Sequence, residues 1–325
     1  MKTFRLTAMA LGLSLLLAGC ITPPKDAVRE QQPLDAAVLG TVAVSAPTAA
    51  DDWWNAYQDP QLDRLMQQAL AGNPSLAQAL ARVREAQSYA DTTRASLSPA
   101  VSYDASETRQ RFSGKDVIPP PYAGSVQWEG SQGLNLSWDL DFWGRQSSLL
   151  QQAQAQTAAS GLDAAGARLA VAGAVSRAYI ELDRNYALAD LARRSEAQRQ
   201  QILGITRSRV KAGLDTNVEL REAEGAVPQA HVDLLQAESD QARSVHLLAA
   251  LSGQGAGAYA GIERPTLQHE AVLNLPQTLP ADLLGRRPDL LAARSRVEAA
   301  SAGQAAAKAA FYPDINLVAF AGTSA

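Results

Sequence analysis

The chain has 325 residues, a formal charge of −4, 19% charged and 46% hydrophobic side chains, which excludes wholesale disorder. The mild acidity and the lack of any basic run argue against a nucleic-acid surface. One Cys excludes an internal disulfide framework or a zinc ribbon, and three His with no Cys or carboxylates around them argue against a metalloenzyme. Roughly a fifth of the residues are Ala, a bias toward helix.

Lys2 and Arg5 precede an apolar run, Leu6 to Ala18, too short to span a bilayer but suited to an export signal. The run ends Leu17-Ala-Gly-Cys20, which looks like the lipobox of bacterial lipoproteins. Its small residues fit a peptidase groove, and the Cys20 thiolate is the nucleophile that takes a diacylglyceryl group. Ile21, where inner-membrane lipoproteins often carry Asp, points to the outer membrane. Residues 1–19 are therefore expected to be a signal peptide, and 20–50, with Pro23, Pro24, Pro33 and Pro47, a lipidated tether.

Leu62, Leu65, Met66 and Leu70 predict a helix over 60–72, and Pro74 opens a second one that runs to about Leu97. From Pro99 the period changes to two: Val101, Tyr103 and Ala105 alternate with Ser102, Asp104 and Ser106. A loop rich in Gly and Pro occupies 112–124. In the return strand Leu134, Leu136, Trp138, Leu140 and Phe142 point one way, and Asn135, Ser137, Asp139 and Asp141 the other. Such a strand fits a soluble core or a membrane barrel alike; its length and Trp128, Trp138 and Trp143 near its ends favour the barrel.

No proline occurs from Gly144 to Lys211, which predicts one very long helix with Ala165, Ala172, Tyr179 and Tyr186 in heptad spacing, and Leu162 and Leu169 offset by four. Gly213 ends it, and Asp215, Thr216 and Asn217 are N-cap candidates for the next helix. There Leu220, Val227, Leu234 and Leu248 hold one heptad position, and Ala223, Ala230, Ala237, Ser244 and Leu251 the other, as coiled-coil packing requires. Pro228 lies inside it and should kink the helix or cost about 3 kcal/mol. The hairpin is expected over 144–252 and a connector over 253–286.

The chain also repeats itself. Pro74, Leu76, Ala79, Arg82, Val83, Ala86, Ala95 and Pro99 match Pro288, Leu290, Ala293, Arg296, Val297, Ala300, Ala309 and Pro313 without a gap. Both copies then turn to period-two alternation. Residues 51–286 read as a first structural repeat, and 287–325 as the start of a second that stops in its first strand.

The motifs Leu17-Ala-Gly-Cys20, Asp51-Asp-Trp-Trp54 before Asp59-Pro-Gln-Leu62, and Asn73-Pro-Ser-Leu76 resemble the outer membrane efflux protein family, the TolC-like ducts, in particular its lipoprotein branch of OprM/NodT type. Leu136-Ser-Trp-Asp-Leu-Asp-Phe-Trp-Gly-Arg145 and Leu279-Pro-Ala-Asp-Leu-Leu-Gly-Arg-Arg-Pro-Asp-Leu290 are the more specific. The resemblance implies a mainly α fold with a few β-strands: long antiparallel helices in a periplasmic α-barrel, and strands in a trimeric transmembrane barrel. It implies a homotrimer giving four strands per protomer to twelve, docked to a periplasmic adaptor and an inner-membrane pump, often of the RND type. Drugs, dyes or metals would pass outward with no catalytic residue. Residues 98–110 and 127–141 would be the first two strands and Ser113 to Tyr122 the external loop. Asn135, Ser137, Asp139 and Asp141 would line the pore. The turn Gly213 to Asn217 would be the adaptor-contacting tip.

Glu219 falls where relatives often carry an acidic residue at a closed entrance; a solvated carboxylate at a helix start is an equal reading. The fourth strand and the second helix pair of that family are not in these 325 residues, so this length alone is expected not to form a working duct. No cofactor or metal is expected beyond a lipid on Cys20. Gly253-x-Gly255-x-Gly257 follows no strand and reads as a linker rather than a nucleotide loop. Asp139 and Asp141 fit a lumen wall better than a hydrolytic pair, and His231, His246 and His269 have no ligand spacing. The main rival is a periplasmic coiled-coil structural lipoprotein or adaptor without a pore.

Overall fold

The computed structural model describes residues 52–115, 117–268 and 285–324; Cys20, the tether, His269 and most of the connector lie outside them. The order is α1 (Pro60–Gly72), α2 (Pro74–Ala95), β1 (Ala100–Arg111), β2 (Val126–Asp139), α3 (Arg145–Lys211), α4 (Asn217–Leu251), α5 (Pro288–Ala309) and β3 (Asn316–Ser324). Short 3-10 turns lie at Trp53–Tyr57 and Ala256–Gly261. The fold is mainly helical with few strands. Contacts divide it into two units: Val83–Ser160 with the residues from Leu291 onward, and the residues up to Arg82 with Gly161–Leu290.

The second unit holds the main apolar core. Leu62, Leu65, Met66 and Ala69 of α1 are buried, as their spacing predicts, against Val171, Val175, Tyr179 and Leu182 of α3 and Leu248 of α4. One carboxylate ties the unit together. Asp59 caps α1, accepting from the N–H groups of Gln61 (2.9 Å) and Leu62 (3.4 Å) through Oδ1. Its Oδ2 accepts from the Tyr179 hydroxyl (2.8 Å) and from the N–H (2.7 Å) and hydroxyl (3.2 Å) of Thr266. Gln61 in turn donates to the Tyr179 oxygen (2.9 Å) and to the Glu263 carbonyl (2.9 Å). Asp59 and Tyr179 are buried, so these bonds are the reason the charge is tolerated.

A close backbone approach holds the second end of α1. Gly253 adopts φ +70°, and a Cβ there would stand 2.3 Å from the Gly72 carbonyl oxygen. Asn73 accepts from the Ser75 N–H (2.9 Å) and donates to the Leu251 carbonyl (3.0 Å), capping α2 while gripping the end of α4. The Gly253-x-Gly255-x-Gly257 run is thus a helix end and a 3-10 start, as a linker would be.

Along α4 the predicted heptad holds: Ala230, Leu234, Ser244 and Leu248 are buried and Leu220, Ala223, Val227, Ala237, Gln241 and Leu251 half-buried. Along α3 it holds in part. Ala172 and Tyr179 are buried and Leu162 and Tyr186 half-buried, but Ala165 and Leu169 are exposed. Ala164, Val171, Val175, Ala178, Leu182, Asn185 and Ala189 are buried as well. Asn185 donates to the Ser244 hydroxyl at 2.8 Å, a polar pair that fixes the helix register. Arg193–Glu238 (2.9 Å) and His231–Glu196 (2.9 Å) pair farther along. The helix runs through Pro228 without a break.

In the first unit the strands form one antiparallel sheet of order β1-β2-β3, with no bulge in either register. β1 starts and ends within two residues of its expected bounds; β2 stops at Asp139, two residues short. α2 and α5, which carry the repeated sequence, are both 22 residues long and both lead into a strand. Ala299, Ala302, Ala306 and Ala309 of α5 are buried, and a Cβ at Gly303 would lie 3.1 Å from the Gln152 side chain, so small residues set the helix spacing. Two indoles anchor the helix-to-strand turns: Trp138 Nε1 donates to the Leu97 carbonyl (3.0 Å) and Trp143 Nε1 to that of Pro313 (3.0 Å).

Burial alone would raise the carboxyl of Asp59, but the bonds from Thr266, Tyr179, Gln61 and Leu62 outweigh it and hold it below the ordinary 3.8. Its contribution is therefore complete above 3.8 and is lost as pH falls through the lower folded value. Asp59→Asn is expected to cost about 2–3 kcal/mol at neutral pH and to flatten the acid limb of thermal unfolding followed by circular dichroism. An acid limb of unchanged slope would show that other carboxylates control it.

Candidate functional site

The regular registers sort the sheet into two faces. One carries Val101, Tyr103 and Ala105 of β1, Leu134, Leu136 and Trp138 of β2, and Leu317, Ala319 and Ala321 of β3. This apolar face is uncovered: Val101 is 65% exposed, Tyr103 63%, Leu134 51% and Leu317 48%. A sheet on a soluble core would bury such a face. From Trp138 to Trp128 is ten residues, about 33 Å along a strand, or about 25 Å in height at barrel tilt, the apolar band of an outer-membrane wall. Among the described residues no helix is long and apolar enough to cross a membrane.

The other face is polar. Asn135 donates to Asp104 (2.6 Å), Ser106 and Ser131 share a hydrogen bond (2.8 Å), and Asn316 donates to Ser137 (3.2 Å). Asp139 accepts from Gln146 (3.2 Å). Asn135, Ser137 and Asp139 thus share one face, as expected. Asp141 does not belong to the row. The chain leaves the sheet after Asp139, and Asp141 turns inward to accept from the N–H groups of Gln146 and Ser147, both at 2.8 Å, capping α3. The alternation in the sequence runs past the end of the ladder because Leu140 and Phe142 continue it beyond Asp139.

Sequence reasoning missed the apolar part of this polar face. Val318 and Phe320 stand opposite Ser137 and Asn135 and are each 70% exposed. The Phe320 ring lies over Gly133 and Gly322: a Cβ at Gly133 would meet it at 2.4 Å, and one at Gly322 at 2.6 Å. The unbroken apolar run Leu317 to Ala321 was the available signal.

The second place of interest is the turn between α3 and α4. Gly213, at φ +76°, ends α3 with bonds from its own N–H to the Val210 carbonyl (2.9 Å) and from Leu214 to that of Arg209 (2.9 Å). Arg209 grips Asp215 with two bonds, 2.7 and 3.0 Å. Thr216 caps α4 through Val218 (3.1 Å), and Asn217 is its first residue. Glu219 turns back to Thr216, accepting from its N–H (3.0 Å) and from its hydroxyl. These bonds hold its carboxyl below the ordinary value, the hydroxyl of Thr216 foremost. This geometry is that of a helix-start carboxylate. Ile205, Leu214 and Val218 are exposed around this turn. Of the histidines, His231 pairs with Glu196 and His246 packs on Tyr259 at 4.2 Å.

The outer membrane efflux protein family model matches residues 65–254 and 279–325. Over 325 residues the chain is 38% identical to a fusaric acid resistance protein, FusA, of Burkholderia cepacia, covering 98% of this chain and 61% of the relative. It is 30% identical to a multidrug resistance outer membrane protein, MdtP, of Escherichia coli K12, covering 96% and 66%. The crystal structure of the outer membrane protein VceC of Vibrio cholerae is similar with a TM-score of 0.76 at 32% identity, over 86% of this chain and 66% of that one. The chain therefore spans just under two thirds of the length of these relatives.

Gly133→Ala is expected to cost about 1–3 kcal/mol by displacing the Phe320 ring. Phe320→Ala in the same chain should remove most of that penalty, a non-additivity readable in the temperature at which gel mobility changes. Additive shifts would show that the ring does not seat on Gly133.

Proposed function

The chain belongs to the outer membrane efflux protein family, and from that premise we propose that it carries the first strands and helical hairpin of the outer-membrane duct component of a tripartite efflux system. It works as a homotrimer, a passive path by which drugs or other small molecules leave for the exterior. The uncovered apolar sheet face carries this reading. Water against Val101, Tyr103, Leu134, Leu136 and Leu317 is unfavourable by about 25 cal/mol per Å², whereas lipid is not. A periplasmic coiled-coil lipoprotein or adaptor has no use for such a face.

In this reading the wall is made by backbone pairing and the passage by its polar side. Among the described residues β1 and β3 each have one unpaired side, and neighbouring strands must satisfy them in lipid. Asp104, Asn135, Ser137 and Asp139 line the water-filled side, together with Phe320 and Val318. The duct does no chemistry; it lowers the barrier to passage, and the pump supplies the energy. The helical hairpin extends into the periplasm, and its turn at Gly213, Asp215, Thr216, Asn217 and Glu219 meets the adaptor. The inner-membrane pump behind it is of the RND type. Asp141 helps indirectly, by fixing where α3 leaves the sheet.

The N-terminus is held by lipid on Cys20. Metabolic labelling with palmitate should mark the protein, and Cys20→Ser should abolish the label; label persisting in the variant would move the anchor elsewhere.

Protein purified from its own outer membranes is expected to give stable conductance steps in a planar bilayer. Asp104→Asn with Asp139→Asn should shift its reversal potential in a salt gradient toward anions, since two carboxylates per protomer leave the wall. A folded trimer that gives no conductance under voltage would overturn the duct assignment.

A further inference from the structure

The apolar face does not end at the aromatic belt. Two rows in register place Arg109 opposite Trp128 and Arg111 opposite Val126, on the same face as Tyr103 and Leu134 and at the strand ends joined by the 112–125 loop. The Arg109 guanidinium lies over the Trp128 ring, 5.5 Å from its centroid, and Trp128 is 62% exposed. Among the described residues neither arginine pairs with a carboxylate. Glu107 shares the face, one row nearer the middle of the sheet, and Glu129, bonded to Gln110 at 3.1 Å, belongs to the polar face.

With the duct reading, on which this inference rests, the row of Trp128 is the outer aromatic belt. Arg109 then stands at headgroup level, and Arg111 about 5 Å farther out at tilt. The outer leaflet there is a glycolipid whose sugar headgroup carries phosphates. A guanidinium offers a phosphate two parallel N–H donors, and stacking on an indole holds its plane ready. Two arginines that pair with no carboxylate among the described residues, spaced by one strand repeat and set beside the Trp128 indole, complement that headgroup in charge.

We propose that Arg109 and Arg111, with Trp128 as the platform, form a docking site on the outer wall of the duct for the phosphorylated headgroup of an outer-leaflet glycolipid. The site sets the height and tilt of the barrel rather than the passage of solute.

The test uses protein purified from native outer membranes as wild type, Arg109→Gln/Arg111→Gln and Arg109→Lys/Arg111→Lys. Diphosphoryl lipid A, its dephosphorylated form and phosphatidylglycerol are each added, with glycolipid per protomer read by native mass spectrometry and the melting of the trimer by gel mobility. Wild type should retain diphosphoryl lipid A and melt several degrees higher with it; the Gln variant should lose both effects, the Lys variant keep a part, and all three conduct. Equal retention by wild type and the conducting Gln variant would overturn the site while leaving the duct intact. Equal stabilisation of wild type by phosphatidylglycerol or by the dephosphorylated lipid would overturn the glycolipid assignment. A wild type that does not conduct would overturn the duct reading and this inference with it.

Discussion

Backbone groups in a strand must pair, and side chains on its two faces must each meet a solvent that suits them. In most proteins the second requirement is met by packing one face on a core. Here the sheet of β1, β2 and β3 packs neither face, so its solvents must be external and different: something apolar on the side of Leu134 and Trp138, water on the side of Asn135 and Asp104. Much of the rest follows from holding such a sheet at one end. The strands enter and leave through helices at Leu97, Gly144 and Pro313, and at that end the indoles of Trp138 and Trp143 are hydrogen-bonded to the turns. At the other end β1 and β2 are joined by the 112–125 loop.

The helical unit solves a different problem. Its apolar core gives cohesion but little direction, because apolar contact is non-directional. Direction comes from polar groups. Asp59 joins the start of α1, the middle of α3 and the segment at Thr266, regions far apart in the chain. Asn185 and Ser244 do the same for α3 against α4. In each case the donors and acceptors are satisfied, and the cost of burying them becomes specificity for one register.

Much of this was legible. Alternation gave the strands, since residues of opposite character at period two leave little choice of face. Heptads with Leu and Val gave the packing of α4. The repeated sequence anticipated two helices of equal length, each leading into a strand. Legibility failed where composition is uniform or partners are remote. In α3, Ala occurs on every side, so the sequence does not tell that Ala172 and Tyr179 are buried together with their neighbours Val171 and Ala178, while Ala165 is exposed and Ala164 buried. Asp141 carries no mark that separates a cap from a strand residue until the end of the ladder is known. Nothing near Asp59 announces Tyr179 or Thr266. Phe320 was hidden because a row read as polar was not expected to hold an aromatic, and only the facing Gly133 and the neighbouring Gly322 explain how the ring fits.

The turn between α3 and α4 has a kinetic meaning. The N–H groups of Gly213 and Leu214, the Arg209–Asp215 pair and the Thr216–Glu219 box tie it from within. Little of its backbone freedom is left to freeze. A surface that meets Leu214 and Ile205 meets them already in place, so encounter costs overall tumbling freedom but little loop ordering. Complexes made on such a surface form without a folding step, and their lifetimes depend on the apolar contacts made rather than on refolding of the turn.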